Sequence, residues 1–153
     1  MKSETKHVIW ISSNGVKYIS KWLKPHQDLS FIFFNFGLWD IAYQQDSNLN
    51  TTPLSQYKQN LTFIVHEMRK TKAKLIFLTT TPIPNKNPTS KYLKSYNSAA
   101  REALSNFDIE IIDTNNLLSA ELNSFKISED DVHFNYAGSE MIAKKIGDVV
   151  MQY

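Results

Sequence analysis

Residues 31–40 read FIFFNFGLWD. The first six are nearly all apolar, and Gly37 ends the run. A strand with one wet face alternates apolar and polar side chains. A continuous apolar run instead suits a strand covered on both faces, as in a parallel sheet. Residues 74–79, KLIFLT, repeat the pattern, and residues 108–112, DIEII, supply another strand. Residues 8–11, VIWI, form a shorter apolar run ended by Ser12-Ser13-Asn14-Gly15, a strand followed by a turn.

Helical periods fill the intervals. Val16, Tyr18, Ile19, Trp22 and Leu23 fall at roughly helical spacing over 16–24. Thr52-Pro53 is a good helix start, since the hydroxyl can cap and proline suits the first helical position. Leu54, Tyr57, Leu61, Ile64, Val65 and Met68 then mark one face of a helix running to about residue 71. Residues 91–104 are helical in pattern, 116–122 form a short helix, and Asn135 can cap a last helix whose core face is Met141, Ile142, Ile146, Val149 and Val150. Strand and helix alternate four times. Connections of that length force right-handed parallel crossovers and a three-layer α/β/α sandwich, one domain over residues 1–153. Sites in such sheets form beyond the carboxyl ends of the strands. The loops that qualify are SSNG, GLWD, TTTPIPNKNP and SEDDVHFN.

Bulk properties narrow the function classes. With 153 residues, 42% hydrophobic and 21% charged, the chain is long enough for one sizeable core and has an ordinary globular balance. A net charge of +2, with lysines spread along the chain, argues against a nucleic-acid partner. The absence of cysteine removes disulfides, thiolate catalysis and thiolate metal sites. The opening MKSETKHVIWI fits neither a signal peptide nor a membrane helix, so no membrane partner and a cytoplasmic location are expected.

Asp130 and His133 stand three apart just before the final helix. A carboxylate that fixes a histidine tautomer and stabilises the imidazolium is half of a hydrolytic triad. The bland alternative is a solvated histidine beside acids that cap the helix. Elsewhere the polar residues carry less. His66-Glu67 lies mid-helix without a second histidine at metal spacing, His7 and His26 have no convergent acid, and Asp40 and Asp46 flank a loop as solvated or capping groups. No metal cluster and no phosphate-cradling glycine loop is evident.

The block DDVHFNYAG, residues 130–138, resembles the last conserved block of the SGNH (GDSL-like) hydrolases, where Asp-x-x-His precedes the C-terminal helix. The resemblance implies that His133 is the general base and Asp130 its orienting carboxylate. FNFGLWD resembles the family block ending in Gly-x-Asn-Asp, or in Gly-Leu-His-Asp within a carbohydrate-esterase-like branch; Gly37 and Asp40 match, and Trp39 replaces Asn or His. Losing the amide donor of that Asn costs roughly 3–4 kcal/mol of transition-state stabilisation. Trp39 either supplies an indole N–H in its place or packs on the loop. Asn14-Gly15 is similar to the glycine-bearing block whose backbone N–H is a further oxyanion donor, and equally to an everyday turn.

The Gly-Asp-Ser block that opens the family, with its nucleophile, is absent from these residues. The resemblance implies a flavodoxin-like sheet order 2-1-3-4-5, so the first strand, missing or rearranged here, would be interior. Three arrangements complete the sheet: a longer parent chain, a strand from another chain as in a homodimer that exchanges elements, or residues 8–11 shifted into the vacant slot. The last brings Ser12 or Ser13 to the nucleophile position. The implied function is hydrolysis of small acyl or acetyl esters, including those of carbohydrates, a chemistry that needs no metal or organic cofactor. The alternatives are an inactive, truncated module that binds a ligand or protein, and an assembly subunit that recruits a strand.

Overall fold

A computed structural model describes residues 11–26, 28–42 and 52–153. Most of the run 8–11, together with His7 and Asp46, lies outside these. Three strands, β1 (Phe31–Phe34), β2 (Lys74–Leu78) and β3 (Glu110–Ile112), form a parallel sheet in the order β1-β2-β3. Phe31 lies opposite Lys74, and Ile76 opposite Glu110. The continuous apolar runs are explained by the two covered faces. Phe34, Leu75 and Phe77 join a large core with α1 (Ser12–Leu23), α3 (Leu54–Met68) and α4 (Leu93–Leu104). Ile76 and Ile112 face the other way and pack with Val149 of α7 (Tyr136–Val150), flanked by Phe31, Phe33, Leu78 and Ile146. The period-two alternation of a strand thus sorts its residues between two helical layers. The three-layer α/β/α reading holds.

Several boundaries differ from expectation. Ser12-Ser13-Asn14-Gly15 is the first turn of α1 rather than a turn before a helix: Gly15 N–H donates to the Ile11 carbonyl at 3.2 Å. Thr52 does not cap α3 with its side chain; its amide instead donates to the Asp40 carbonyl at 3.0 Å. In place of one helix over 116–122 stand α5 (Thr114–Ser119) and α6 (Leu122–Phe125). On α7 only Val149 of the expected core face is fully buried, and Met141, Ile142, Ile146 and Val150 are partly buried. Asn135 caps α7 as expected, its side chain accepting from Gly138 N–H at 3.1 Å.

Two features orient the site. The Ser30 carbonyl accepts from Lys74 N–H at 2.9 Å. In a parallel ladder Ile32 and Phe34 then also turn their backbone groups toward β2, and Phe31, Phe33 and Asn35 turn theirs outward. Among the described residues nothing pairs with that outer edge, where the resemblance puts the first strand of the family. At the other end of α7, Tyr153 packs on Phe31, lies under Lys74 Nζ and donates to Glu110 Oε2 at 3.0 Å. These three residues begin the strands. A helix of 15 residues is about 22 Å long, so the N-terminus of α7, with His133 just before it, lies at the carboxyl ends of the strands.

Candidate active site

Gly37, directly after β1, has φ of +143°, a conformation side chains avoid. A Cβ there would land on Thr80 Oγ1, so the loop after β1 lies against the loop after β2. Tyr57 Oη donates to the Phe36 carbonyl at 2.6 Å and fixes the same turn from α3. The loop after β2 is held by Asn97, which donates to the Thr80 carbonyl and accepts from Thr80 N–H, both at 2.9 Å. Asp113, after β3, caps α5 through Asn116 N–H at 3.0 Å and pairs with Arg101 at 2.6 Å. An ion pair between Lys86 and Glu129 joins the loop after β2 to the loop carrying His133.

Ser12 is fully buried at the start of α1. Its Oγ donates to Asp40 Oδ1 at 2.5 Å and accepts from Asn60 Nδ2 at 2.9 Å. Its amide reaches both Asp40 carboxylate oxygens, at 3.2 and 3.1 Å. With donor and acceptor both engaged, the Ser12 hydroxyl is tied into the fold. Ser13 is exposed, and among the described residues neither its hydroxyl nor its amide has a hydrogen-bond partner. Gly15 is buried one turn further, where an added Cβ would meet Ile64 Cδ1 at 2.6 Å and Phe36 Cζ at 2.7 Å. Its amide lies inside the helix, so the free donor of this turn is Ser13, not Gly15.

His133 is largely exposed, with 78% of its side-chain surface accessible. Its Nδ1 lies 2.6 Å from Asp131 Oδ1, and its backbone N–H donates to the same oxygen at 2.8 Å. Asp130, the partner implied by Asp-x-x-His, accepts from Ser128 Oγ at 2.9 Å instead. The carboxylate at the ring is therefore Asp131. The His133 backbone amide, and then its ring, hold the Asp131 carboxyl below the usual carboxylate range. His133 Nε2 has no hydrogen-bond partner among the described residues. Trp39 is 47% exposed, so part of its ring is covered and part is accessible at this edge. Asp40, expected to be solvated or capping, is fully buried and raised above the ordinary carboxylate range chiefly by desolvation. Its tie to Ser12 crosses 28 positions of sequence, and the Asn60 bond to the same Ser12 hydroxyl crosses 48, so no local spacing signals them.

The family model for GDSL-like lipases and acylhydrolases matches residues 13–146. The chain belongs to the GDSL-like lipase/acylhydrolase family. Among solved structures, an acetylxylan esterase from Geobacillus stearothermophilus is similar at 16% identity with a TM-score of 0.68, over 85% of this chain and 64% of that one. A lipase/acylhydrolase from Enterococcus faecalis gives 20% and 0.68, over 89% of this chain and 70% of the other. An α/β hydrolase from the metagenome of Lake Arreo, Spain, gives 20% and 0.66, over 84% and 64%. At these identities the likeness is one of fold. This GDSL-like chain spans 64% of the esterase's length. No curated protein matches it. Among the described residues no helix is long and apolar enough to cross a membrane, and no group of three or more acids and histidines could hold a metal ion.

Proposed function

We propose that this chain carries the histidine end of an SGNH-type serine ester hydrolase acting on small acyl or acetyl esters. The observation behind this is the His133 ring, held at Nδ1 by Asp131 with Nε2 unpartnered at the carboxyl edge of the sheet. In this reading Nε2 takes the proton of a serine hydroxyl as its oxygen attacks the ester carbonyl. The tetrahedral oxyanion is met by N–H donors, with the Ser13 amide and the Trp39 indole as candidates. The imidazolium, stabilised by Asp131, returns its proton to the departing alkoxide, and water repeats the cycle on the acyl enzyme. Asp131 takes the role that the resemblance gives to Asp130. Ser13 is the candidate nucleophile within the described residues. An acetylated carbohydrate is the proposed substrate class, by analogy with the similar acetylxylan esterase.

The second reading is a non-hydrolysing module that binds an ester or a protein at the same edge. It is favoured by one observation: among the described residues no serine hydroxyl is hydrogen-bonded to His133. Turnover of 4-nitrophenyl acetate, lost by about a thousandfold or more in His133→Ala, supports hydrolysis. A fluorophosphonate adduct located by mass spectrometry identifies the serine. Turnover that His133→Ala leaves intact, or no turnover with no adduct, sinks the first reading and leaves the second.

A further inference from the structure

The buried polar side chains of the described residues are unevenly placed. Ser12, Asp40, Thr52, Asn60, Thr79, Thr80 and Thr114 belong to the carboxyl edge or touch it, and only Thr71 lies elsewhere. Among them Asp40 alone is ionisable. It forms no ion pair with any described residue. A buried carboxylate without a cation is costly to keep, and its bonds indicate what it achieves. Its oxygens take the amide and hydroxyl of Ser12, and the Thr52 side chain nearby helps to hold its pKa down. Ser12 is the first residue of α1, where amides lack intrahelical partners. The carboxylate therefore caps that helix from 28 positions away. Asp40 and Trp39 lie on α2 (Leu38–Ile41), the single helical turn that follows Gly37 within the loop after β1.

We propose that Asp40 is a positioning residue: it clamps the first turn of α1, and Ser13 with it, to the loop that bears Gly37 and Trp39. The assignment of Ser13 to a reacting site rests on the hydrolytic reading above, but the clamp can be tested without turnover. The titratable groups packed around Asp40 are the Tyr57 hydroxyl of α3 and, beyond it, that of Tyr96 of α4. Desolvation raises the Asp40 carboxyl, and the Ser12 and Thr52 bonds oppose that rise. Loss of the Ser12 hydroxyl must then move the midpoint further up.

The test is amide NMR on the full chain. In the wild type the Ser12 and Ser13 amides should titrate together with the Asp40 carboxyl, above the ordinary carboxylate range. Ser12→Ala should shift that midpoint upward. Asp40→Asn should abolish the titration and speed exchange at Ser12, whose amide the carboxylate holds, at least tenfold, with Ile76 and Phe77 of β2 changed less than twofold. Amides at Ser12 and Ser13 that ignore pH, a downward or absent shift in Ser12→Ala, or equal loss of protection in β2 each overturn the clamp. Should Asp40→Asn fail to fold, the Ser12→Ala midpoint decides alone. A chain that passes here but lacks esterase turnover refutes only the hydrolytic reading.

Discussion

Asp131 and Asp130 are adjacent acids, and the structure turns one to the histidine and the other to Ser128. Asp131 accepts the amide two residues ahead, the local turn that aspartate favours, and that turn brings the ring of His133 onto the same oxygen. Because the backbone amide is the larger cause of the lowered Asp131 pKa and the ring the smaller, His133→Ala should bring the carboxyl only part of the way back up. Carbon NMR of the Asp131 carboxyl against pH measures this, and full recovery of an ordinary value contradicts it. By linkage, a depressed carboxylate favours the folded state above its unfolded pKa and loses that contribution as pH falls through the folded value. Asp131 is part-exposed and solvent-screened, so the effect should show in its own titration rather than in the unfolding midpoint. Sequence alone singled out His133 as a candidate and set two acids before it, of which the resemblance paired Asp130 with the ring. It could not choose between them, because the choice belongs to turn geometry.

At the level of elements, legibility followed burial. The runs FIFFNF and KLIFLT were readable as parallel strands because both of their faces are covered. Asn135 was readable as a cap because capping is local. The segment SSNG misled because Asn-Gly is also the commonest turn signal. Here the glycine serves a different end, letting α1 approach Phe36 and Ile64 closely. Gly15→Ala therefore sets a gain of about 1 kcal/mol in helix propensity against overpacking of about 1–3 kcal/mol. The net expectation is a loss of about 1 kcal/mol in urea unfolding, with an unchanged or higher midpoint as the contrary result. The α1–α3 contact was invisible in sequence, since its partners lie roughly 50 residues apart.

For the whole molecule, the order of strands and helices gave the three layers, whereas the closing of α7 over the sheet depends on contacts that no periodicity encodes. Tyr153 joins the starts of all three strands through Phe31, Lys74 and Glu110. Tyr153→Ala should cost about 1 kcal/mol or less for one exposed hydrogen bond and its ring contact. Hydrogen exchange should quicken in the last turn of α7 and stay slow at Gly138 and Ser139, whose amides are held by the Asn135 cap and the first helical turn. Equal quickening along the helix would mean that the anchor supports α7 throughout. The same anchor also gives the molecule two ends that can be addressed separately. Since the sequence contains no cysteine, a thiol introduced beside the anchor as Gln152→Cys, at an exposed position, is a unique attachment point at the base of the sheet. A dye or a solid support coupled there stands a helix length, about 22 Å, from the rim bearing His133, and leaves that rim open to whatever is offered to it.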